Sequence, residues 1–149
     1  MKITINNNLN KYSFLITLVH ELAHAFVFKK YKNNISPHGN HWKLMFKSLM
    51  LNFLSPDYFP EDILRVLSKH MINPKASTFT DLSLIKILKQ YDISPSVTIS
   101  DLSAGDLFKI DSGKIFLRGE ISRKRIKCIE CKTKKIYLFH PFTEITIMK

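Results

Sequence analysis

The stretch from Lys11 to Tyr31 constrains this chain more than any other. Leu15, Leu18, Val19, Leu22 and Phe26 recur at three- and four-residue spacing, the periodicity of a helix. Phe14, Ile16, Ala23, Ala25 and Val27 fill other faces, so this helix is expected to be buried nearly all round. Yet the same stretch holds His20, Glu21 and His24. These make its apolar part, Phe14 to Phe28, too short and too polar to span a bilayer. They also argue against a signal peptide, although Ala23-His24-Ala25 mimics a cleavage site. The expectation is a cytoplasmic protein with no membrane partner. Burying two imidazoles and a carboxylate without partners would cost several kcal/mol, so something must compensate them.

The arrangement of those three residues suggests what. His20-Glu21-Leu22-Ala23-His24 is an H-E-x-x-H sequence. Residues four apart lie one turn apart on one helix face, so two imidazoles can grip a single ion. Glu21 is offset around the helix, where it can reach a water at that ion and act as general base. A catalytic zinc site takes three protein ligands and leaves one position open. His38 follows after a polar loop and supplies a third imidazole, while Glu61 is an alternative third ligand. His41, three residues beyond His38, is a solvated histidine, a substrate contact or a substitute ligand. The longer H-E-x-x-H-x-x-G-x-x-H pattern is excluded, because Val27 and Lys30 stand where it needs glycine and histidine.

The rest of the chain reads as α+β. Lys2 to Ile5 alternates like a short strand and is broken at Asn6-Asn7-Asn8. A second helix is expected from His41 to Phe53 with Trp42, Met45, Phe46, Leu49, Met50 and Phe53 as its stripe. Trp42 is read there as core rather than substrate platform. A third helix begins at Pro60-Glu61-Asp62, with acids near the positive end of its dipole. A fourth, capped at Thr80-Asp81, runs through Tyr91. Ser94-Pro95-Ser96 is linker-like. Beyond it, Leu107–Ile110, Lys114–Leu117, Ile121–Cys131, Lys135–Phe139 and Glu144–Met148 are strand candidates, forming a small antiparallel sheet or barrel. The expected division is a helical core over 1–92, a linker over 93–105 and a basic β module over 106–149.

Two further compositional facts bear on function. The chain of 149 residues carries 23 Lys and Arg against 12 Asp and Glu, a net charge of +11. Ten basic residues against four acidic ones fall between Asp106 and Lys135. Arg118, Arg123, Lys124, Arg125 and Lys127 are the candidate nucleic-acid contacts, with Phe116 and Tyr137 nearby to stack bases. No base-reading motif is present, so such binding would be sequence-independent. Cys128 and Cys131 exclude a disulfide scaffold and suit a reducing compartment. Their C-x-x-C spacing on a strand sends them to opposite faces, which suits separate packing roles better than a second zinc site completed by His140.

The run HELAHAFVFKKYKNNISPHGNHWKLMFKSLM resembles the SprT-like metallopeptidase family, related to the Spartan proteases. The matching pieces are the H-E-L-x-H helix, a loop, and Pro37-His38-Gly39-x-x-Trp42 opening the next helix. Phe59-Pro60-Glu61, Asn73-Pro74-Lys75-Ala76-Ser77 and the basic C-terminal module extend the likeness. The resemblance implies a mainly helical, zincin-like metallopeptidase core. It implies one catalytic Zn2+ held by His20, His24 and His38, with Glu21 as catalytic acid/base, and a protein substrate near or crosslinked to DNA. Relatives carry more chain before the metal helix, so the resemblance is to a short form or fragment. Many relatives end in a zinc ribbon; others carry a metal-free β module, and this chain resembles the latter. The rival reading is a non-catalytic module in which zinc is structural and the β module holds nucleic acid. A third is a peptidase unrelated to DNA.

Overall fold

The computed structural model describes residues 2–6, 8–76, 80–93 and 96–148. Asn7, Ser77, Ser94 and Pro95, which entered the sequence reading, lie outside the described residues. The chain divides into two compact units, Met1–Ile93 and Ser94–Lys149. The first holds four helices and the second a five-stranded antiparallel sheet, so the fold is mixed α+β.

Helix α1 spans Lys11–Tyr31. Asn10 caps it, its side-chain oxygen accepting from the amides of Tyr12 and Ser13 at 3.1 and 2.9 Å. That satisfies two of the four N–H groups that a helix start leaves open. The same Asn10 donates through Nδ2 to Leu88 O and to Asp92 Oδ1, tying the start of α1 to the end of α4. Helix α2 spans Asn40–Met50, α3 Glu61–His70 and α4 Leu82–Lys89. Acids in the first turn of α3 and the Asp81 cap on α4 follow the expected dipole and capping logic.

One core serves all four helices. Ile16, Val19, Ala23 and Val27 of α1 meet Trp42, Phe46 and Met50 of α2, Ile63 and Leu67 of α3, and Leu84 and Leu88 of α4. Each large side chain so buried contributes about 1.5–3 kcal/mol. Helix α1 is therefore buried along one stripe and not all round. Phe14, Phe26 and Phe28 remain substantially exposed, because only one face meets the other helices. Helix α2 also stops early, at Met50. The amides of Asn52 and Phe53 turn back to Leu49 O and Met50 O, which tightens the chain out of helix. Lys2–Ile5 forms no strand. Among the described residues no strand pairs with it, and an unpaired strand leaves its backbone groups unsatisfied.

In the second unit, β1 (Leu107–Lys109), β2 (Ile115–Ser122), β3 (Arg125–Glu130), β4 (Ile136–Phe139) and β5 (Thr146–Ile147) lie in the order β4-β3-β2-β1-β5. Phe108, Phe116, Ile126 and Cys128 line its buried face with Ile99 and Leu102. The last two come from within the stretch expected to be a linker. Residues 99–101 form a 3-10 turn closed by Thr98 and Asp101, and Thr98 bridges to Glu144. The single strand expected over Ile121–Cys131 is instead the end of β2, a two-residue turn and β3. Arg123 takes a φ of 57° there, a left-handed conformation without the glycine that usually signals it. The bulge between Arg118 and Ile121 sits at Gly119, where an added Cβ would lie 2.7 Å from Lys127 O.

Candidate metal centre

The i, i+4 spacing on α1 places the rings of His20 and His24 4.8 Å apart, with their Nε2 atoms separated by 3.1 Å. The third ring arrives from the loop before α2. Gly39 caps that helix, and its amide donates to Ser36 O at 3.2 Å. A Cβ at position 39 would lie 3.1 Å from Ser36 Cβ, so a larger residue there would have to push Ser36 aside by a few tenths of an ångström. The loop thereby delivers His38 Nε2 to 2.9 Å from His24 Nε2. All three ligand atoms lie within 4.8 Å of one another. Two nitrogens bound to one tetrahedral zinc stand about 3.3 Å apart, so this donor set is already near the spacing an ion requires.

Trp42 organises the three rings. It is fully buried, and its ring lies 4.8 Å from His20, 5.4 Å from His24 and 4.8 Å from His38. Its indole Nε1 donates to His20 O at 3.4 Å, and Phe46 stacks behind it at 4.9 Å. The sequence reading of Trp42 as core missed this second role. Trp42 lies in the first turn of α2, close after the loop that carries His38.

Electrostatics keep the cluster neutral. Burial pushes His20 down from 6.5 to about 4, and repulsion from His24 and His38 adds to this. His24 and His38 are also lowered, mainly by burial. Neutral imidazoles with free nitrogen lone pairs are the form that binds a cation. Glu21 Oε1 lies 4.0 Å from His20 Nε2, beside the three nitrogens and not among them. That is the offset expected of an acid/base rather than a ligand.

The other candidates separate clearly. Glu61 opens α3 and does not join the cluster. His41 is exposed and packs its ring against Tyr31 at 4.3 Å. Among the described residues, His20, His24 and His38 are the one group of three or more His, Cys, Asp or Glu side chains placed to hold an ion. Cys128 is fully buried in β3, its Sγ directed to Ile126 O at 3.8 Å and its thiol pushed up by burial. Cys131 follows the strand and His140 accepts from the Phe142 amide through Nδ1, so these three assemble no second site.

Of the five basic candidates, Arg123, Lys124, Arg125 and Lys127 are exposed. Arg118 is not. It alternates with Phe116 onto the buried face, donates through Nη1 to Gly119 O at 2.7 Å, and leaves Nε without a partner. Phe116 is also buried, and Tyr137 packs against it at 5.3 Å. Arg118 thus shares the face of Phe116 and Tyr137, whereas Arg125 and Lys127 alternate onto the opposite face and Arg123 and Lys124 lie in the turn between β2 and β3.

Residues 1–63, which include every residue of the cluster, match the model of the SprT-like family. This segment belongs to the SprT-like family. The match ends within α3 and takes in neither Asn73–Ser77 nor the sheet unit. No curated protein and no solved structure matches the chain. SprT-like domains are metallopeptidase-type domains, in keeping with three histidines that could bind a metal ion. Among the described residues, no helix is long and apolar enough to cross a membrane.

Proposed function

We propose that this SprT-like chain is a zinc-dependent endopeptidase with a zincin-like core. The observation that carries the reading is the convergence of His20, His24 and His38 with Glu21 beside them and no fourth protein ligand among the described residues. Three soft-to-borderline nitrogen donors suit zinc, and a site without a fourth side chain keeps a position for water and substrate. When bound, the ion supplies Lewis-acid polarisation of the scissile carbonyl and of the attacking water. Glu21 takes the proton from that water and passes it to the leaving amine. Trp42 holds the three imidazoles in register while this happens. A structural zinc site would be closed, and His41, the residue best placed in sequence to close it, packs on Tyr31 instead.

For substrate, we propose protein associated with or crosslinked to DNA. Arg123, Lys124, Arg125 and Lys127 are exposed on or beside β3 and would contact phosphates without reading bases. The deciding experiment is Glu21→Gln measured beside wild type. Zinc content and fold should persist while cleavage of a protein substrate is lost; a fully active variant rules the mechanism out. Running the assay with and without single-stranded DNA, across salt concentrations, separates the DNA-linked reading from a DNA-independent peptidase.

A further inference from the structure

We propose that the free edge of β4 binds an extended, acidic polypeptide segment with alternating aliphatic side chains, which adds to the sheet as a sixth strand. This goes beyond the peptidase reading and stands independently of the metal.

Strand β4 ends the sheet, with β3 on one side and, among the described residues, no strand on the other. Glu130 donates to Lys135 O at 2.9 Å, and the pairing then runs Ile129 with Ile136, Cys128 with Tyr137 and Lys127 with Leu138. In an antiparallel ladder the residues of alternate pairs exchange hydrogen bonds. The N–H and C=O groups of Ile136 and Leu138 consequently face the open side. Edge strands are ordinarily protected by charge, proline or a bulge. Here the strand is Ile-Tyr-Leu-Phe, with Ile136 65% and Leu138 59% exposed.

The chemistry around the edge selects the occupant. Ile136 continues a cross-strand row of exposed aliphatic residues, Leu107, Leu117 and Ile129, on the outer face. Aliphatic side chains offer no stacking surface to a base, so the row favours a polypeptide over nucleic acid. Lys132, Lys134 and Lys135 crowd the turn that enters β4, and Lys127 pairs beside Leu138. That charge attracts an acidic segment and repels a second basic copy of this chain. Backbone pairing along the edge, apolar contact on alternate residues and charge at the strand end are the three elements of recognition by strand addition.

The test uses the full chain and a blocked, fluorescent peptide of alternating Glu and Val. Its anisotropy should rise with protein, and binding should weaken as salt is raised. The amides of Ile136 and Leu138 should gain protection from hydrogen exchange. Leu138→Pro removes an outward N–H where an edge strand tolerates proline, and should weaken binding by about tenfold or more. The double variant Lys134→Glu, Lys135→Glu leaves the ladder in place and should weaken it comparably. Binding unchanged in both variants would overturn the proposal. So would protection of the same amides by a single-stranded oligonucleotide but not by the peptide, or by concentration-dependent dimerisation alone.

Discussion

Helix α1 and strand β3 each present a short run of metal-ligand residues, and the two behave in opposite ways. On α1, a spacing of four puts His20 and His24 on one face, and a third imidazole closes the set. Cys128 lies in β3 and Cys131 just beyond its end, and a spacing of three does not return to one face of a strand. One thiol enters the core, the other leaves the strand, and His140 makes its own local bond. The same count of ligand-type residues thus converges around a helix face and stays apart around a strand. The difference lies in the periods, 3.6 against 2, and not in the chemistry of the ligands.

Four measurements sharpen or break that contrast. The largest effect is expected at His38. His38→Ala should abolish stoichiometric zinc by metal analysis, whereas Glu61→Ala should not; the reverse result would move the third ligand to α3. Next, Glu21→Gln should keep zinc yet lower cleavage by about 10²–10⁴-fold, the usual contribution of a general acid/base. Trp42→Ala should cost about 3–5 kcal/mol of stability as a buried aromatic truncation. It should also loosen zinc, which an ordinary core substitution such as Leu67→Ala should not do. At the small end, Cys128→Ala with Cys131→Ser should leave zinc content unchanged; a loss of metal there would erase the contrast.

A pH prediction follows from the depressed histidines. Folded His20 resists a proton that the unfolded chain accepts at 6.5. Its contribution to stability is therefore intact above pH 6.5 and lost as pH falls toward about 4. Thermal melts of chelator-treated protein should show this decline, and added zinc should raise the melting temperature above that of the metal-free protein.

The helical unit was largely legible from local pattern. Apolar periodicity alone marks Lys11–Tyr31 as a helix, and the Asn10 cap and the basic last turn that bound it are seen in the structure. The buried face was less legible. Of the periodic set Leu15, Leu18, Val19, Leu22 and Phe26, Val19 is fully buried, and Ile16, Ala23 and Val27 complete the core stripe with it. A helix that is apolar on many faces carries no local mark of which face its neighbours cover. In the sheet, alternation from Phe116 already placed Arg118 on the buried face, and the charge-based reading overlooked it. The Arg123-Lys124 turn had no comparable signal, because a non-glycine residue adopts the left-handed conformation there.

Sequence alone placed His20 and His24 one turn apart on one face of α1 with Glu21 offset beside them, because this depends only on spacing along one helix. It determined as well that His38, Glu61 and His41 compete for the third position. The choice among them belonged to the tertiary structure. It rests on how the 36–39 turn closes and how Trp42 packs, and both depend on contacts between residues distant in sequence. The same holds for the sheet: the order of strands decides which edge stays open, and no local pattern encodes an edge.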